Sequence, residues 1–215
     1  MTGQRVVRRG LALIAFASFA VLIGLGVDLH GRRGATRLDV RASRPVFRRI
    51  FGIPIIPDRV AHAVLRLGDP LPYSVIAGVG VLLALVLLRD RVGAAIAGFS
   101  LIVAPVLAEA VGKPLVDRQS VVKGTEGFPS GHTAAMTVVA AVLVVLSFRR
   151  WGPRGAAFSL PVAAAVTAGM VLSVVKLHSH VMSDAIGGVL LGTGTVAGVT
   201  AVASSVEAAR RSPLE

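Results

Sequence analysis

Six long apolar blocks separated by polar connections constrain this chain more than any other feature. They cover approximately residues 10–27, 72–88, 93–112, 132–148, 156–176 and 184–205. Each block approaches the ~20 residues that a helix needs to cross a bilayer. Only 16% of the residues are charged, whereas about a quarter are charged in a typical soluble domain. The sequence therefore predicts an all-α fold, a single membrane domain over residues 1–215 that forms a bundle of six transmembrane helices.

The first and last blocks each carry a second signal. The first follows Arg5, Arg8 and Arg9 and is similar to a signal peptide. No small-x-small cleavage site follows it before the next polar stretch, so we predict a retained span. The last block contains small residues at a spacing of four, which permits close approach of helices. Its glycines are Gly188, Gly192, Gly194 and Gly198.

The net charge of +12 is better explained by a membrane than by nucleic acid. The arginines lie between apolar blocks, where they anchor and orient spans beside anionic headgroups. Aromatic residues make up 5% of the chain and do not interleave with a basic patch, so no nucleic-acid partner is expected. The chain has no cysteine, which excludes disulfides and thiolate chemistry.

Arginines in the short connections predict the orientation. The N-terminal segment, the 2–3 turn, the 4–5 turn and the C-terminal tail are all arginine-rich and share one side of a six-span topology. The positive-inside rule makes that side cytoplasmic, so we expect a multi-pass plasma-membrane protein with both termini in the cytoplasm. The connection 28–71 opposes this orientation, because it places nine arginines on the outer side. Four concordant segments outweigh it.

This long extracytoplasmic connection has two interpretations. After Pro57, apolar residues recur at helical spacing at Val60, Ala63, Val64 and Leu67. The pattern fits an interfacial amphipathic helix, and an ordinary solvated basic loop fits as well.

The outer side collects most of the titratable chemistry. The 3–4 and 5–6 connections on that side hold three of the five histidines and every lysine: His132, His178, His180, Lys113, Lys123 and Lys176.

The stretch "GFPSGHT" marks the start of the fourth block. Ser130 can cap a helix by accepting a hydrogen bond from the backbone N–H of Thr133. Gly131 lets a ligand approach the backbone, and the first N–H groups of a helix form an anion site. Capping does not require His132, which is also compatible with a plain interfacial position.

Two further pairs flank this stretch. His180 and Asp184 are four residues apart, so the carboxylate can hold one imidazole nitrogen and leave the other as base or nucleophile. In the alternative interpretation, Asp184 is only a negative charge at a helix N-terminus and His180 is its neighbour. Lys113 and Arg118 can clamp a phosphoryl group. Otherwise they are membrane anchors, with Glu109 pairing to Lys113 one helical turn away.

Together these residues fit phosphoryl transfer through a phosphohistidine, with no metal or other cofactor. The alternative of a metal site on His132, His178 and His180 is disfavoured, because the nearby lysines would repel the ion.

Three ordered motifs resemble those of the type 2 phosphatidic acid phosphatase superfamily, in its integral-membrane lipid phosphate phosphatase branch. They are Lys113 with Arg118, "PSGH" at 129–132, and His180-x-x-x-Asp184. The middle motif matches fully, and the resemblance covers residues 113–184.

The resemblance implies a role for each matching residue. His180 would attack phosphorus, Asp184 would orient it, and His132 would protonate the leaving alcohol. Ser130 and Gly131 would hold the phosphate, a role that we extend to Lys113 and Arg118.

The outer motifs depart from the family pattern. The first expects Arg-Pro where this chain has Ser120 and Val121, and the third expects Ser-Arg where it has Ser173 and Val174. On this resemblance Arg118 would be a displaced substitute for the first arginine, with Lys123 as a weaker candidate. Lys176 or His178 would supply the charge missing from the third motif.

The predicted function is hydrolysis of a phosphate or pyrophosphate from a membrane lipid such as phosphatidic acid or a polyprenyl carrier. The alternatives are a non-catalytic binder or transporter of lipid phosphates, and a phosphatase for soluble esters.

Overall fold

The computed structural model describes residues 2–47, 49–50, 53–119 and 127–211, and most of them are helical. The α-helices are α1 (Thr2–Leu29), α2 (Arg37–Ser43), α3 (Asp58–Leu67), α4 (Pro70–Val86), α5 (Arg91–Val106), α6 (Lys113–Val116), α7 (Gly131–Lys176) and α8 (Met182–Arg211). A 3₁₀ turn (Arg44–Phe47), a π-helical turn (Leu107–Gly112) and the antiparallel pair β1 (Arg49–Ile50) and β2 (Ile53–Pro54) complete them. The all-α prediction is confirmed apart from this minimal strand pair.

Apolar helices of membrane-spanning length are confirmed, whereas the predicted number of six stays a prediction. Among the described residues, four helices are long and apolar enough to cross a bilayer, or five if α3 and α4 form one span bent by 61°. The blocks 132–148 and 156–176 both lie in the single stretch α7 and therefore count as one helix here.

The chain reverses direction inside α7. Gly152 has φ 64° and ψ −150°, which are not helical angles and which lie in the region that favours glycine. A Cβ atom at Gly155 would meet the carbonyl oxygen of Ser147, although residues eight apart in a straight helix are ~12 Å apart along its axis. Met136 also packs in one cluster with Met170 from the other half. The two halves of α7 therefore fold back on each other.

Helix α8 lies between α1 and α7 and contacts both through its glycines. A Cβ at Gly188 would lie 2.5 Å from the carbonyl oxygen of Ser130, and one at Gly192 would lie 2.8 Å from that of Ala134. On the other face, a Cβ at Gly194 would lie 3.1 Å from the side chain of Ser18. The predicted close helix approach is confirmed, and it fixes the start of α7 against the start of α8.

A proline in α5 explains one contact with α4. Pro105 has no N–H, so the carbonyl of Leu101, four residues earlier, lacks its usual helical donor. The hydroxyl of Tyr73 donates to that carbonyl at 2.6 Å. This bond satisfies a polar group that membrane lipid could not satisfy.

Helix α3 confirms the helical interpretation of the segment after Pro57. Ala61 is fully buried, and Val64 and Leu65 pack against the buried cluster that contains Met170 and Val174. This helix therefore covers α7 with part of its apolar face, so this part of the connection 28–71 packs against the bundle.

At the end of the bundle away from Ser130 and His180, a single arginine joins three segments of the chain. Arg149 forms ion pairs with Asp90 at 2.6 Å and with Glu207 at 3.0 Å. These contacts bring the turn between α4 and α5, the reversal of α7 and the end of α8 to one end of the domain.

Packing at Gly188 predicts a measurable loss of stability. Gly188→Ala would push a methyl group into the backbone of α7, and overpacking of this kind costs about 1–3 kcal/mol. Gly80→Ala in α4 is the matched control, because no described atom lies within 4 Å of that Cβ position. We expect thermal unfolding in detergent to show a lower Tm for Gly188→Ala only. Equal Tm values in the two variants would contradict the packing.

Candidate active site

The N-terminus of α7 is built as the sequence predicts. Ser130 is fully buried and precedes the helix with an extended backbone. Its hydroxyl oxygen accepts from the backbone N–H of Thr133 at 3.4 Å and from the Thr133 hydroxyl at 3.1 Å. The N–H of Ser130 donates to the carbonyl of Asp184 at 2.9 Å. The cap is confirmed, and it ties the "PSGH" segment to α8.

His180 lies in the turn before α8, with its side chain largely buried. Its backbone N–H donates to the carbonyl of Val174 at 3.2 Å. The imidazole Nδ1 lies 3.5 Å from Oδ2 of Asp184, and no hydrogen bond to this buried nitrogen forms among the described residues. The predicted juxtaposition is therefore present as a close contact without a hydrogen bond.

Arg118 is buried beside Asp184 rather than open to the site surface. Only 1% of it is exposed. Its guanidinium donates to Oδ1 of Asp184 at 2.6 Å, to the Ser183 hydroxyl at 2.6 Å and to Oδ2 of Asp39 at 2.9 Å. A buried guanidinium needs such anionic partners. The phosphate contact expected of Arg118 stays a prediction, while its ion pair with Asp184 is a structural role that the sequence did not reveal.

Asp39 completes this buried network from α2. Its carboxylate accepts from the backbone N–H of Ser183 at 2.8 Å, and from the N–H and hydroxyl of Thr36 at 2.9 and 2.8 Å. Burial alone would raise the pKa of Asp39, but the hydrogen bonds from Ser183 and Thr36 outweigh it and lower the pKa to about 2. Sequence analysis missed this residue. The spacing of Thr36 and Asp39 marks a helix start, but no local pattern shows that α2 reaches the site.

Lys113 lies next to the N-terminus of α7 but is already paired. Its ammonium contacts Oε2 of Glu109 at 2.6 Å, the pairing that the alternative interpretation of Lys113 as a membrane anchor expected. A Cβ atom at Gly131 would meet the other oxygen of Glu109. Glu109 belongs to the π-helical turn, a distortion that is frequent at functional sites. A carboxylate therefore lies where the sequence predicts a bound phosphate, with the predicted phosphate ligand Lys113 beside it.

His132 contacts a carboxylate that the sequence did not assign to the site. Its Nε2 lies 3.1 Å from Oδ1 of Asp69, which precedes α4. The preceding Gly68 packs against the same ring. Sequence analysis treated Asp69 as part of the connection 28–71, because nothing local links it to a residue 63 positions away.

The auxiliary candidates have different surroundings. Lys176 pairs with Asp58 of α3 at 3.4 Å, and His178 adopts a left-handed backbone with φ 55°. Lys123 lies outside the described residues, as do Ser120 and Val121. Val174 is fully buried and packs in the apolar cluster with Met136 and Met170, so no charge stands at the position of the expected arginine.

Two other features bear on ligands. In the part of the chain that the structure describes, no group of three or more His, Asp or Glu residues is arranged to hold a metal ion. An apolar cavity of about 540 Å³ lies between α1, the π-helical turn and α8. Its lining includes Leu22, Val27, Leu107, Phe128, Pro129 and Leu191, and Pro129 is the residue directly before Ser130.

Comparison with known proteins agrees with the motifs. The family model described as "PAP2 superfamily" matches residues 74–206, more than half of the chain. The chain belongs to the PAP2 superfamily. The matched range includes every candidate catalytic residue and leaves out Asp39 and Asp69.

One solved PAP2 structure has the same fold. The crystal structure of the first transmembrane PAP2 type phosphatidylglycerolphosphate phosphatase from Bacillus subtilis aligns with a TM-score of 0.65 and 18% sequence identity. The alignment covers 94% of this chain and 98% of that chain. No curated protein matches the sequence. This PAP2 chain is thus a multi-pass membrane protein, and the family supports a phosphatase.

The depressed pKa of Asp39 predicts a pH-dependent contribution to stability. A carboxyl whose folded pKa is about 2 and whose ordinary pKa is 3.8 stabilises the fold above pH ~4. That contribution is lost as the pH falls towards 2. We expect Asp39→Asn to lower the free energy of unfolding by about 2 kcal/mol or more at pH 7.

The measurement is thermal unfolding in detergent at pH 7 and near pH 2.5. The difference between wild type and Asp39→Asn should shrink at the lower pH. Asp28→Asn is the control, because Asp28 forms an exposed pair with Arg32 and such pairs contribute little. A pH-independent difference for Asp39→Asn would show that its ionisation does not stabilise the fold.

Proposed function

We propose that this protein is a lipid phosphatase that hydrolyses a phosphomonoester or pyrophosphate on a membrane lipid through a phosphohistidine. The observation that carries the proposal is the position of His180. Its Nδ1 faces Asp184, and the buried pair of Asp184 with Arg118 holds that carboxylate in place. Membership of the PAP2 superfamily supports the same chemistry.

In the first step, Nε2 of His180 attacks phosphorus and the bond from phosphorus to the lipid oxygen breaks. Asp184 orients the ring and stabilises the imidazolium that forms. His132 gives a proton to the departing oxygen. The first N–H groups of α7, at Gly131 and beyond, face the phosphate, and Lys113 exchanges Glu109 for a phosphate oxygen.

In the second step, water attacks the phosphohistidine. His132, now neutral, accepts a proton from that water, and His180 leaves as the phosphorus–nitrogen bond breaks. The released phosphate departs, and both histidines return to their starting state. The proton that His132 gives in the first step is regained in the second, and the bond that His180 forms to phosphorus is broken again.

The substrate class is supported by the cavity beside Pro129. Its lining is almost entirely apolar, and its position next to Ser130 suits a lipid whose headgroup lies at the N-terminus of α7. A phosphatase for soluble esters would have no use for such a cavity.

The topology follows from the fold-back of α7. If each half of α7 crosses the bilayer, and α4 crosses with α3 at the outer interface, the chain crosses six times. The Arg149 contacts then mark the cytoplasmic end, in keeping with the positive-inside rule. The site lies at the extracytoplasmic end.

A non-catalytic binder or transporter of lipid phosphates is the second candidate function. It is favoured by Val174, which is buried where the family resemblance expects an arginine. It is also favoured by Arg118, which is already bound to two carboxylates. Loss of one donor to a transition-state oxyanion costs about 3 kcal/mol, so turnover is the property that separates the two functions.

Replacing the nucleophile tests the proposal directly. We expect purified protein to release phosphate from at least one of phosphatidic acid, lysophosphatidic acid and polyprenyl phosphates, and vanadate to inhibit it. His180→Ala should reduce that rate about 10³-fold or more, as loss of a nucleophile does. His62→Ala, in an exposed histidine of α3, should keep the wild-type rate.

Two results would overturn the enzymatic function. One is the absence of turnover on every lipid tested, and the other is an unchanged rate in His180→Ala. Rapid quenching with labelled lipid should also give an acid-labile, base-stable phosphoryl label in wild type that His180→Ala lacks.

The orientation can be tested because the chain has no cysteine. Ala35→Cys, at an exposed position near α2, should react with a membrane-impermeant maleimide in intact cells. Arg154→Cys, at the exposed reversal of α7, should react only after lysis. The opposite pattern would place the site in the cytoplasm.

A further inference from the structure

Asp69, at the end of the connection 28–71, places its carboxylate beside His132. The role inferred below for this carboxylate rests on the proposed phosphatase function. Oδ1 of Asp69 lies 3.1 Å from Nε2 of His132. Both side chains are partly exposed, at 50% and 34%. The pair therefore lies at the surface of the site, where it can meet a substrate.

Asp69 occupies the N-cap position of α4, but its side chain does not cap the helix. An N-cap aspartate normally accepts from the backbone N–H of the second or third helical residue. In α4 the third helical residue is Pro72, which has no N–H, and the described hydrogen bonds include none from the helix backbone to the Asp69 side chain. The carboxylate is thus available for His132.

Gly68 holds the ring from a second direction. A Cβ atom there would lie 2.8 Å from Cδ2 of His132 and 3.2 Å from its Cβ. Any side chain at this position would displace the ring, so glycine permits the close approach. The junction between α3 and α4 therefore seats the imidazole through two adjacent residues.

We propose that Asp69 is a positioning residue that prepares His132 to act as the acid. An imidazolium carries two ring protons. With the Nε2 proton donated to Asp69, the Nδ1 proton is the one transferred to the lipid oxygen as its bond to phosphorus breaks. The neutral ring keeps its Nε2 proton on Asp69, and its free Nδ1 then accepts a proton from the attacking water.

The dependence on the leaving group distinguishes this role from a structural one. An alkoxide is a poor leaving group and needs the proton, whereas 4-nitrophenolate leaves without one. A defect in proton delivery therefore slows an alkyl phosphate and spares an aryl phosphate. A distorted site slows both to the same degree.

The experiment compares kcat/KM for lysophosphatidic acid and for 4-nitrophenyl phosphate in wild type and Asp69→Asn. We expect a loss of about tenfold or more on the alkyl ester, part of the ~10²–10⁴-fold that general acid catalysis contributes. We expect a loss below about threefold on the aryl ester. Asp28→Asn, at an exposed carboxylate at the end of α1, should match wild type on both.

Asp69→Glu keeps a carboxylate and should restore part of the alkyl ester rate. Equal losses on the two esters, or no loss in Asp69→Asn, would overturn the role of Asp69 while leaving the phosphatase function in place. A wild-type protein that is inactive on both esters and also on phosphatidic acid and polyprenyl phosphates would overturn the phosphatase function together with the inference.

Discussion

The buried charge of Arg118 is the constraint around which the site is assembled. A guanidinium that is removed from water must keep anionic partners, because an unpaired buried charge costs several kcal/mol. Arg118 meets this need with Asp184 on α8 and Asp39 on α2. These two helices are therefore fixed relative to the end of α6, and Asp184 is fixed relative to His180. The position of His180 and the packing of α2 therefore depend on the same charge.

A second constraint comes from the membrane, which leaves no room for unsatisfied backbone groups. Close contacts of Gly188 and Gly192 with α7 bring Ser130 near Asp184, where the Ser130 N–H finds its acceptor. The π-helical turn adds a distortion at Glu109, next to the end of α5. The irregular backbone and the side chains of the candidate site thus lie at the same end of the bundle, and regular packing of the helices supports them.

Sequence alone predicts the parts of this site that depend on short spacings. The Ser130 cap, the pair of Lys113 with Glu109 and the contact of His180 with Asp184 all join residues three or four positions apart, which a helix or its first turn brings together. The apolar blocks also predict the helices, because bilayer thickness sets their length.

Contacts between distant segments were not predictable in the same way. Asp39 and Asp69 reach the site only because α2 and α3 fold over α7 and α8, and their own neighbours in the chain give no sign of it. The ion pair of Arg118 with Asp184 joins residues 66 positions apart. The reversal at Gly152 is different, because the polar break between the blocks 132–148 and 156–176 predicts a turn there.

The distribution of charge at the N-terminus of α7 determines how strongly an anion binds there. Arg118 is neutralised by carboxylates, Val174 offers no charge, and Lys113 is paired with Glu109. A phosphate arriving at Gly131 therefore competes with Glu109 for the same ammonium group and the same helix N-terminus. Binding becomes an exchange of one anion for another, so its free energy is the difference between two similar interactions. On the proposed function, this favours weak phosphate binding and ready product release, while the barrier to reaction is lowered chiefly by His180 and His132.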